Sequence, residues 1–393
     1  MDYILENLIP HFQPIYSADT GRIYAHEVLG RYKEENGSVS SMGKFFTGKE
    51  TSGEDALMCD RIIRRKAIRR YAEDGGGSYL FVNVRLAWLT RFADKPEEMP
   101  TVQFAREYGV DFTKLVIEIT EDEFFGDSAD YIKVIAFYKD IGCRIAIDDY
   151  GKDASQIDRL SALAPDIVKI DMDFIHRSEH SHFYREYLRL ITAYADKVGV
   201  EILYEGIETK PQLDICVASK GRLFQGYLLA MPGPHTQSAL APCGVFADSL
   251  ARSAEALQEK AERLNEYRNY WDAKVAEFTR AEPFDPFTHD MNEYFSRLCL
   301  SLPDRVRRVY ICDRGGRQLS YNLDKEGGAI RPADYRGKSW AWRGYYREAV
   351  DVFSSGMSYF LTGEYRDVTT KEKMCTYIRL IGEDMVLHID ISV

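Results

Sequence analysis

Short apolar runs alternate with helix-period segments over the first 235 residues. The runs are "FQPIY" (12–16), "RIYAHEVLGR" (22–31), "YLFVNV" (79–84), "LVIEIT" (115–120), "RIAIDDY" (144–150), "DIVKID" (166–171), "EILYEGIE" (201–208) and "RLFQGYLLA" (222–230). Segments such as "DRIIRRKAIRRYAE" and "YIKVIAFYKDIG" lie between them and carry apolar positions at helical spacing. Near-continuous apolar strands alternating with helices predict a mainly parallel sheet covered on both faces. Eight such strands in a segment of this length predict a TIM-like β/α barrel.

The pattern changes over residues 245–280, which contain neither Gly nor Pro. Leu250, Leu257, Leu264, Trp271 and Phe278 recur every seven residues, with Ala254, Ala261 and Val275 forming a second stripe. This is a long amphipathic linker helix, either a coiled-coil seam or a helix lying on its own domain. The prolines of "EPFDPF" (282–287) end it. Residues 283–393 predict a small α+β domain. It has a hairpin around Gly315 and Gly316, then three antiparallel strands with turns near "TTKEK" and "GEDM". The expected layout is therefore a barrel over 1–240, a helix over 245–280 and the α+β domain over 283–393.

Composition narrows the class. Of the 393 residues, 45% are hydrophobic and 13% aromatic, enough for a large core. The net charge of -11 argues against a binder of nucleic acid polymers or anionic membranes. It admits a small anionic ligand if a metal intervenes. The seven cysteines are scattered, with no C-x-x-C pair, and read as reduced core thiols. The first residues carry no basic region of a signal peptide, and no apolar run has the length of a membrane span. The expectation is a cytoplasmic protein.

In a β/α barrel the C-terminal ends of the strands meet at one mouth. Here they carry Glu27, Asn83, Glu118, Asp148 with Asp149, Lys169, Glu205 and Gln225. A single acid at a strand end is ordinarily a helix cap or a solvated loop residue; repetition around the rim is what points to a site. Five carboxylates facing one lysine need further cations. All-oxygen ligation suits Mg²⁺ or Mn²⁺ rather than zinc. Two adjacent aspartates can flank two ions, an arrangement suited to phosphodiester hydrolysis.

"FQPIYSADTGRIYAHEVLGR", "FVNV", "LVIEITE", "IAIDDYG", "DIVKID", "YEGIET" and "FQGYLLAMP" occur in the order and spacing of the EAL-domain family of cyclic di-GMP phosphodiesterases, which residues 10–235 resemble. The resemblance implies a metal-dependent enzyme converting cyclic di-GMP to linear pGpG. It implies Glu27, Asn83, Glu118 and Asp148 as ligands of one ion, and Asp148, Asp149 and Glu205 as ligands of a second. Lys169 and Glu205 become catalytic residues, and Gln13, Arg31 and Gln225 substrate contacts. Glu121 matches the glutamate that holds the loop after Asp149. A homodimer is expected, and Ca²⁺ is an expected inhibitory occupant of the oxygen site.

Departures from the family pattern define the alternative. "EVLGR" stands where the family has "EALLR", and the loop "DYGKDASQ" carries Lys152, Asp153 and Ala154 in place of Thr, Gly and Tyr. The alternative is a catalytically impaired receptor for cyclic di-GMP. The C-terminal segments "SWAWRGYYREAV" and "YFLTGEYRDVTTKEKMCTYIRLI" resemble the PAS/Cache-like YkuI C-terminal family. By that analogy Trp340, Trp342, Arg343, Tyr346, Tyr365 and Asp367 line a pocket for an unknown small ligand in a sensor or dimerisation module. The other reading makes the same aromatics core of a small sheet domain.

Overall fold

The computed structural model describes residues 5–47, 53–120, 129–150, 163–368 and 370–393. The chain divides into two compact units, Met1–Ala256 and Leu257–Val393.

The first unit is the expected barrel. Its strands are β1 (Leu8–Ser17), β2 (Arg22–Lys33), β3 (Val39–Ser41), β4 (Tyr79–Asn83), β5 (Leu115–Thr120), β6 (Arg144–Tyr150), β7 (Ile167–Ile170), β8 (Glu201–Tyr204) and β9 (Leu223–Phe224). The sheet order is β1-β9-β8-β7-β6-β5-β4-β2-β3, and the additional β1–β2 pairing closes an eight-stranded ring with β3 hanging on β2. β2 and β4 through β9 run parallel. β1 is antiparallel to both neighbours. The reason is local: β1 and β2 are joined by a short turn ending at Gly21 (φ 66°), too short for the crossover that parallel strands need.

Strand periodicity sorts the barrel side chains into layers. Ile15, Ala25, Phe81, Val116, Ala146, Ile167, Leu203 and Leu223 form one buried inner cluster, one residue from each strand. Bulky residues mixed with the two alanines fill the barrel without a pore. The opposite faces of the strands pack on the helices in a larger cluster that includes Leu80, Val82, Ile117, Ile147 and Tyr204. The helix Lys210–Ala218 opens with a capping box between Thr209 and Gln212, and Asp171 caps the helix Met172–His180.

The second unit is an antiparallel sheet. Its strands are β10 (Val306–Asp313), β11 (Asn322–Glu326), β12 (Ala329–Ala333), β13 (Tyr359–Leu361), β14 (Tyr365–Arg366), β15 (Lys373–Ile381) and β16 (Met385–Ser392). The order is β12-β11-β10-β16-β15-β13, with β14 also on β15. The C-terminal segment thus forms four strands where three are expected, because the "GEYRD" stretch adds the short β14.

The long helix spans Gly244–Ala281. Phe246 belongs to the core of the first unit, and Trp271 and Val275 to the core of the second. Leu257 is 65% exposed and Leu264 41%. The heptad stripe therefore serves the units at its two ends and is open between them. All seven cysteines are buried free thiols. No helix among the described residues is long and apolar enough to cross a membrane.

Phe81 is fully buried in the inner barrel layer, directly below Asn83 in strand period. Phe81→Ala is expected to cost the barrel about 3–5 kcal/mol. Urea denaturation of the full chain followed by circular dichroism checks this, and an unchanged midpoint contradicts the layer assignment.

Candidate functional site

The site is the next inward layer of the same barrel. Two residues beyond Ala25, Phe81, Val116, Ala146, Ile167, Leu203 and Leu223 stand Glu27, Asn83, Glu118, Asp148, Lys169, Glu205 and Gln225. On the antiparallel β1 the step runs backwards, from Ile15 to Gln13. A period of two thus carries eight polar side chains to one rim, above an apolar floor.

Asp149 breaks this rule. On a regular strand it faces away from Asp148. Its φ is 59°, and the β6–β7 register shifts between Ile147 and Tyr150. A left-handed residue at a bulge re-aims the side chain. Ligand oxygens of Asp148, Asp149 and Glu205 consequently lie within 4.8 Å of one another.

Lys169 is the centre of the charge network. Its buried Nζ donates to Glu118 Oε1 and lies 2.9 Å from Asp148 Oδ1, 3.0 Å from Glu205 Oε2 and 3.6 Å from Glu27 Oε1. One ammonium has three protons and faces four carboxylates. Glu118 is completely buried and its Oε2 has no hydrogen-bond partner. Asp148 Oδ1 is at ion-pair distance from Lys169 but not aligned for a hydrogen bond. Burial pushes the Glu118 carboxyl well above its usual range, Lys169 opposing and Glu27 and Asp148 reinforcing. Burial likewise pushes Glu205 up to about 8. Burial works against the Lys169 charge, but Asp148, Glu118, Glu205 and Glu27 together hold it protonated.

A second chain of contacts holds Glu27. Gln225 Nε2 donates to Glu27 Oε2 at 2.6 Å and to Gln13 Oε1 at 3.2 Å, and Gln13 Nε2 donates to the Ala230 carbonyl at 3.3 Å. The two glutamines thus orient a carboxylate, a role that reading them as substrate contacts alone misses. Arg31 is half-buried, four residues beyond Glu27 on the same side of β2, with its guanidinium bonded to the Gly30 carbonyl at 2.9 Å. It stands farther out along the strand than the acidic layer. Asn83 is exposed at its strand end, beside Glu118 in register. Glu121 and the altered positions Lys152, Asp153 and Ala154 lie outside the described residues.

Two glycines complete the rim. Gly206 follows Glu205 at φ 66°, and a Cβ there meets the Met172 Cβ at 2.3 Å. A Cβ on Gly226, next to Gln225, meets the Ile207 carbonyl oxygen at 2.0 Å. The signal in the sequence is a glycine directly after a chemical residue, in "EGI" and "QGY".

The donors fit a hard divalent cation: all are oxygens, the buried Glu118 Oε2, Asp148 Oδ1 and Gln225 Oε1 have no hydrogen-bond partner, and three carboxylates converge. The expected C-terminal pocket is only partly assembled. Tyr346 is buried and its hydroxyl is pinned to the carbonyls of Asp313 and Arg314. Tyr365 reaches Thr376 and Asp390, and Asp367 lies 3.8 Å from Arg308. Trp340 bonds Gln318. Trp342, just before the helix Gly344–Ser354, is 68% exposed with the Arg343 guanidinium over its ring.

The fold and the site define a class, a TIM-like barrel with an all-oxygen acidic mouth. The chain belongs to the EAL-domain family: residues 3–232 match the EAL domain, and residues 251–393 match the EAL-domain associated signalling protein domain. The uncharacterized EAL-domain containing protein YkuI of Bacillus subtilis is 29% identical over 98% of this chain and 95% of its own length. The crystal structure of YkuI in complex with substrate c-di-GMP and calcium matches with a TM-score of 0.89 at 28% identity, covering 99% of this chain and 97% of that one. The cyclic di-GMP phosphodiesterase PdeL of Escherichia coli is 25% identical over 57% of this chain and 62% of its own.

Glu205 holds its proton up to about pH 8 when folded, against 4.5 as the ordinary value. Between these values the folded state binds more protons than the unfolded one, so metal-free stability falls as pH rises. Mn²⁺ is therefore expected to raise the melting temperature more at about pH 8.5 than at about pH 6, relative to chelator. A gain independent of pH contradicts this charge accounting.

Proposed function

We propose that the chain hydrolyses cyclic di-GMP to linear pGpG with two divalent ions, Mg²⁺ or Mn²⁺. The observation that carries the reading is the complete inward layer, in which Asp149 alone leaves strand period and still converges with Asp148 and Glu205. YkuI and PdeL, with the names given above, support the same substrate.

Glu27, Asn83, Glu118 and Asp148 would hold one ion, and Asp148, Asp149 and Glu205 the other. When bound, the ions supply charge neutralisation and an activated water. Lys169 brings a fixed cation to the point where phosphate charge builds up, with no reorganisation because four carboxylates already orient it. Glu205, whose carboxylate converges with those of Asp148 and Asp149, is placed to take a proton from the attacking water. Arg31 is placed to take a phosphate oxygen outside the acidic layer. Gln13 and Gln225 keep Glu27 in place and border the ligand. Ca²⁺, with its larger and looser coordination, would fill the site without productive geometry. Residues 1–240 form the catalytic module and 283–393 a sensor module. Phe183, Leu190, Tyr194 and Val198, exposed along the helix His182–Val198, support the expected homodimer.

The second reading, a receptor that binds without cleaving, is favoured by the altered sequence "DYGKDASQ" after the paired aspartates.

Incubation of the full chain with cyclic di-GMP and Mn²⁺ is expected to yield pGpG, resolved by chromatography. Glu205→Gln, isosteric with the neutral carboxyl that burial favours, is expected to fold and to lower the rate about 10²–10⁴-fold. Tight binding by the unmodified chain with no product assigns it to the receptor reading.

A further inference from the structure

Between the end of β9 and the long helix, the chain stays on the barrel. Residues 230–237 are tied to it at one point after another. Gln13 Nε2 donates to the Ala230 carbonyl at 3.3 Å, and the His11 ring is bonded to the Pro232 carbonyl. Phe12 and Gly233 exchange both backbone hydrogen bonds, at 2.7 and 3.0 Å. The Thr236 amide donates to Asp74 at 2.9 Å, and the Gln237 amide to His26 Nε2 at 3.0 Å. The long helix then starts at Gly244.

His26 is wholly buried. It precedes Glu27 on β2, so the pleat sends its ring to the outside of the barrel while Glu27 points inward. A backbone amide can only donate, so Nε2 is the acceptor. Nδ1 therefore carries the proton and donates to Ser78 Oγ at 2.9 Å. Both nitrogens are satisfied in one tautomer and one ring orientation. None of the chemistry at the mouth uses this ring.

What the 230–237 segment delivers to the mouth is a direction. The Ala230 carbonyl can only accept, so the Gln13 amide turns its NH₂ toward it and its oxygen toward Gln225. Gln225 then has its NH₂ toward both Gln13 and Glu27, and its own oxygen is left without a partner. With the Ala230 carbonyl displaced, both amides are free to turn over, and Gln225 would present its oxygen to a carboxylate. The polarity of the relay is thus set by a backbone group outside the strands. On one side Ala230 is held by its amide on the Gly226 carbonyl at 3.0 Å, and on the other by the ties to β1 and to His26.

On the reading of Glu27 as an ion ligand, we propose that His26 is a positioning residue for the ion site. By latching the Gln237 amide it fixes the segment whose Ala230 carbonyl orients Gln13, then Gln225, and so Glu27.

The test is calorimetric titration of the chelator-treated full chain with Mn²⁺, without cyclic di-GMP and well below the melting temperature, with circular dichroism as the check on folding. Glu27→Gln is expected to weaken Mn²⁺, and His26→Leu to weaken it about tenfold, as loss of a partner that orients a ligand does. The double variant is expected to bind no more weakly than Glu27→Gln alone, because His26 acts through that carboxylate. His26→Gln, which keeps an acceptor for the Gln237 amide, is expected to recover most of the lost affinity. Ser78→Ala, which frees the ring without opening a large cavity, is expected to weaken Mn²⁺ to a smaller degree, and it decides the matter if His26→Leu does not fold. A folded His26→Leu chain that melts lower but binds Mn²⁺ as the unmodified chain does makes His26 a structural residue and overturns the proposal, while the Glu27 reading stands if Glu27→Gln has lost affinity. Additive losses in the double variant, or no recovery in His26→Gln, also overturn it. Mn²⁺ binding unchanged by Glu27→Gln overturns the Glu27 reading and the proposal with it.

Discussion

One buried ammonium facing four carboxylates is the constraint on which the barrel mouth depends. Lys169 touches Glu27, Glu118, Asp148 and Glu205, and three protons cannot satisfy them all. The surplus negative charge sits above an apolar floor that offers it no relief. The protein tolerates this arrangement in two ways. Burial raises the proton affinity of Glu118 where it is deepest, and its Oε2 is left without a hydrogen-bond partner, open to a cation. A site that is costly when empty is poised to gain from divalent ions.

The surrounding features follow from holding that layer still. Gln13 and Gln225 exist as a hydrogen-bonded pair because Glu27 has little else to orient it. Gly206 and Gly226 let the strand-end loops pass close to Met172 and Ile207, so that Glu205 and Gln225 keep their inward direction. The left-handed Asp149 is the one strained backbone position among the proposed ligands, and it brings a second carboxylate to the mouth where the pleat allows only one.

The second unit repeats the theme in a different fold. Its sheet spends one face on an apolar core and the other on Arg308, Tyr310, Thr376, His388 and Asp390. Sequence reasoning centred on the aromatics of "SWAWRGYY" and passed over the buried polar residues of "VLHIDIS". The alternation in that strand reads as a half-exposed sheet, with His388 and Asp390 toward water. The helix Gly344–Ser354 packs on that face beside His388, and Tyr365 and Arg308 close over Asp390. Trp342 is the converse case: a large aromatic beside an arginine that is largely exposed.

The barrel was legible because its information is local and periodic. Apolar runs mark the strands, and the residue two beyond each inner side chain faces the same way, so seven rim residues can be read without coordinates. The four-residue turn before β2 contains the reason for the antiparallel β1, although the pattern of apolar runs does not reveal it. What periodicity cannot carry is the departure from itself, as at Asp149, or the contact between distant segments. The pairing of Gln13 with Gln225, the count of carboxylates on Lys169 and the cover over His388 and Asp390 depend on which surfaces meet. That is decided by closure of the ring and packing of the sheet, where side chains more than a hundred residues apart settle each other's burial and charge.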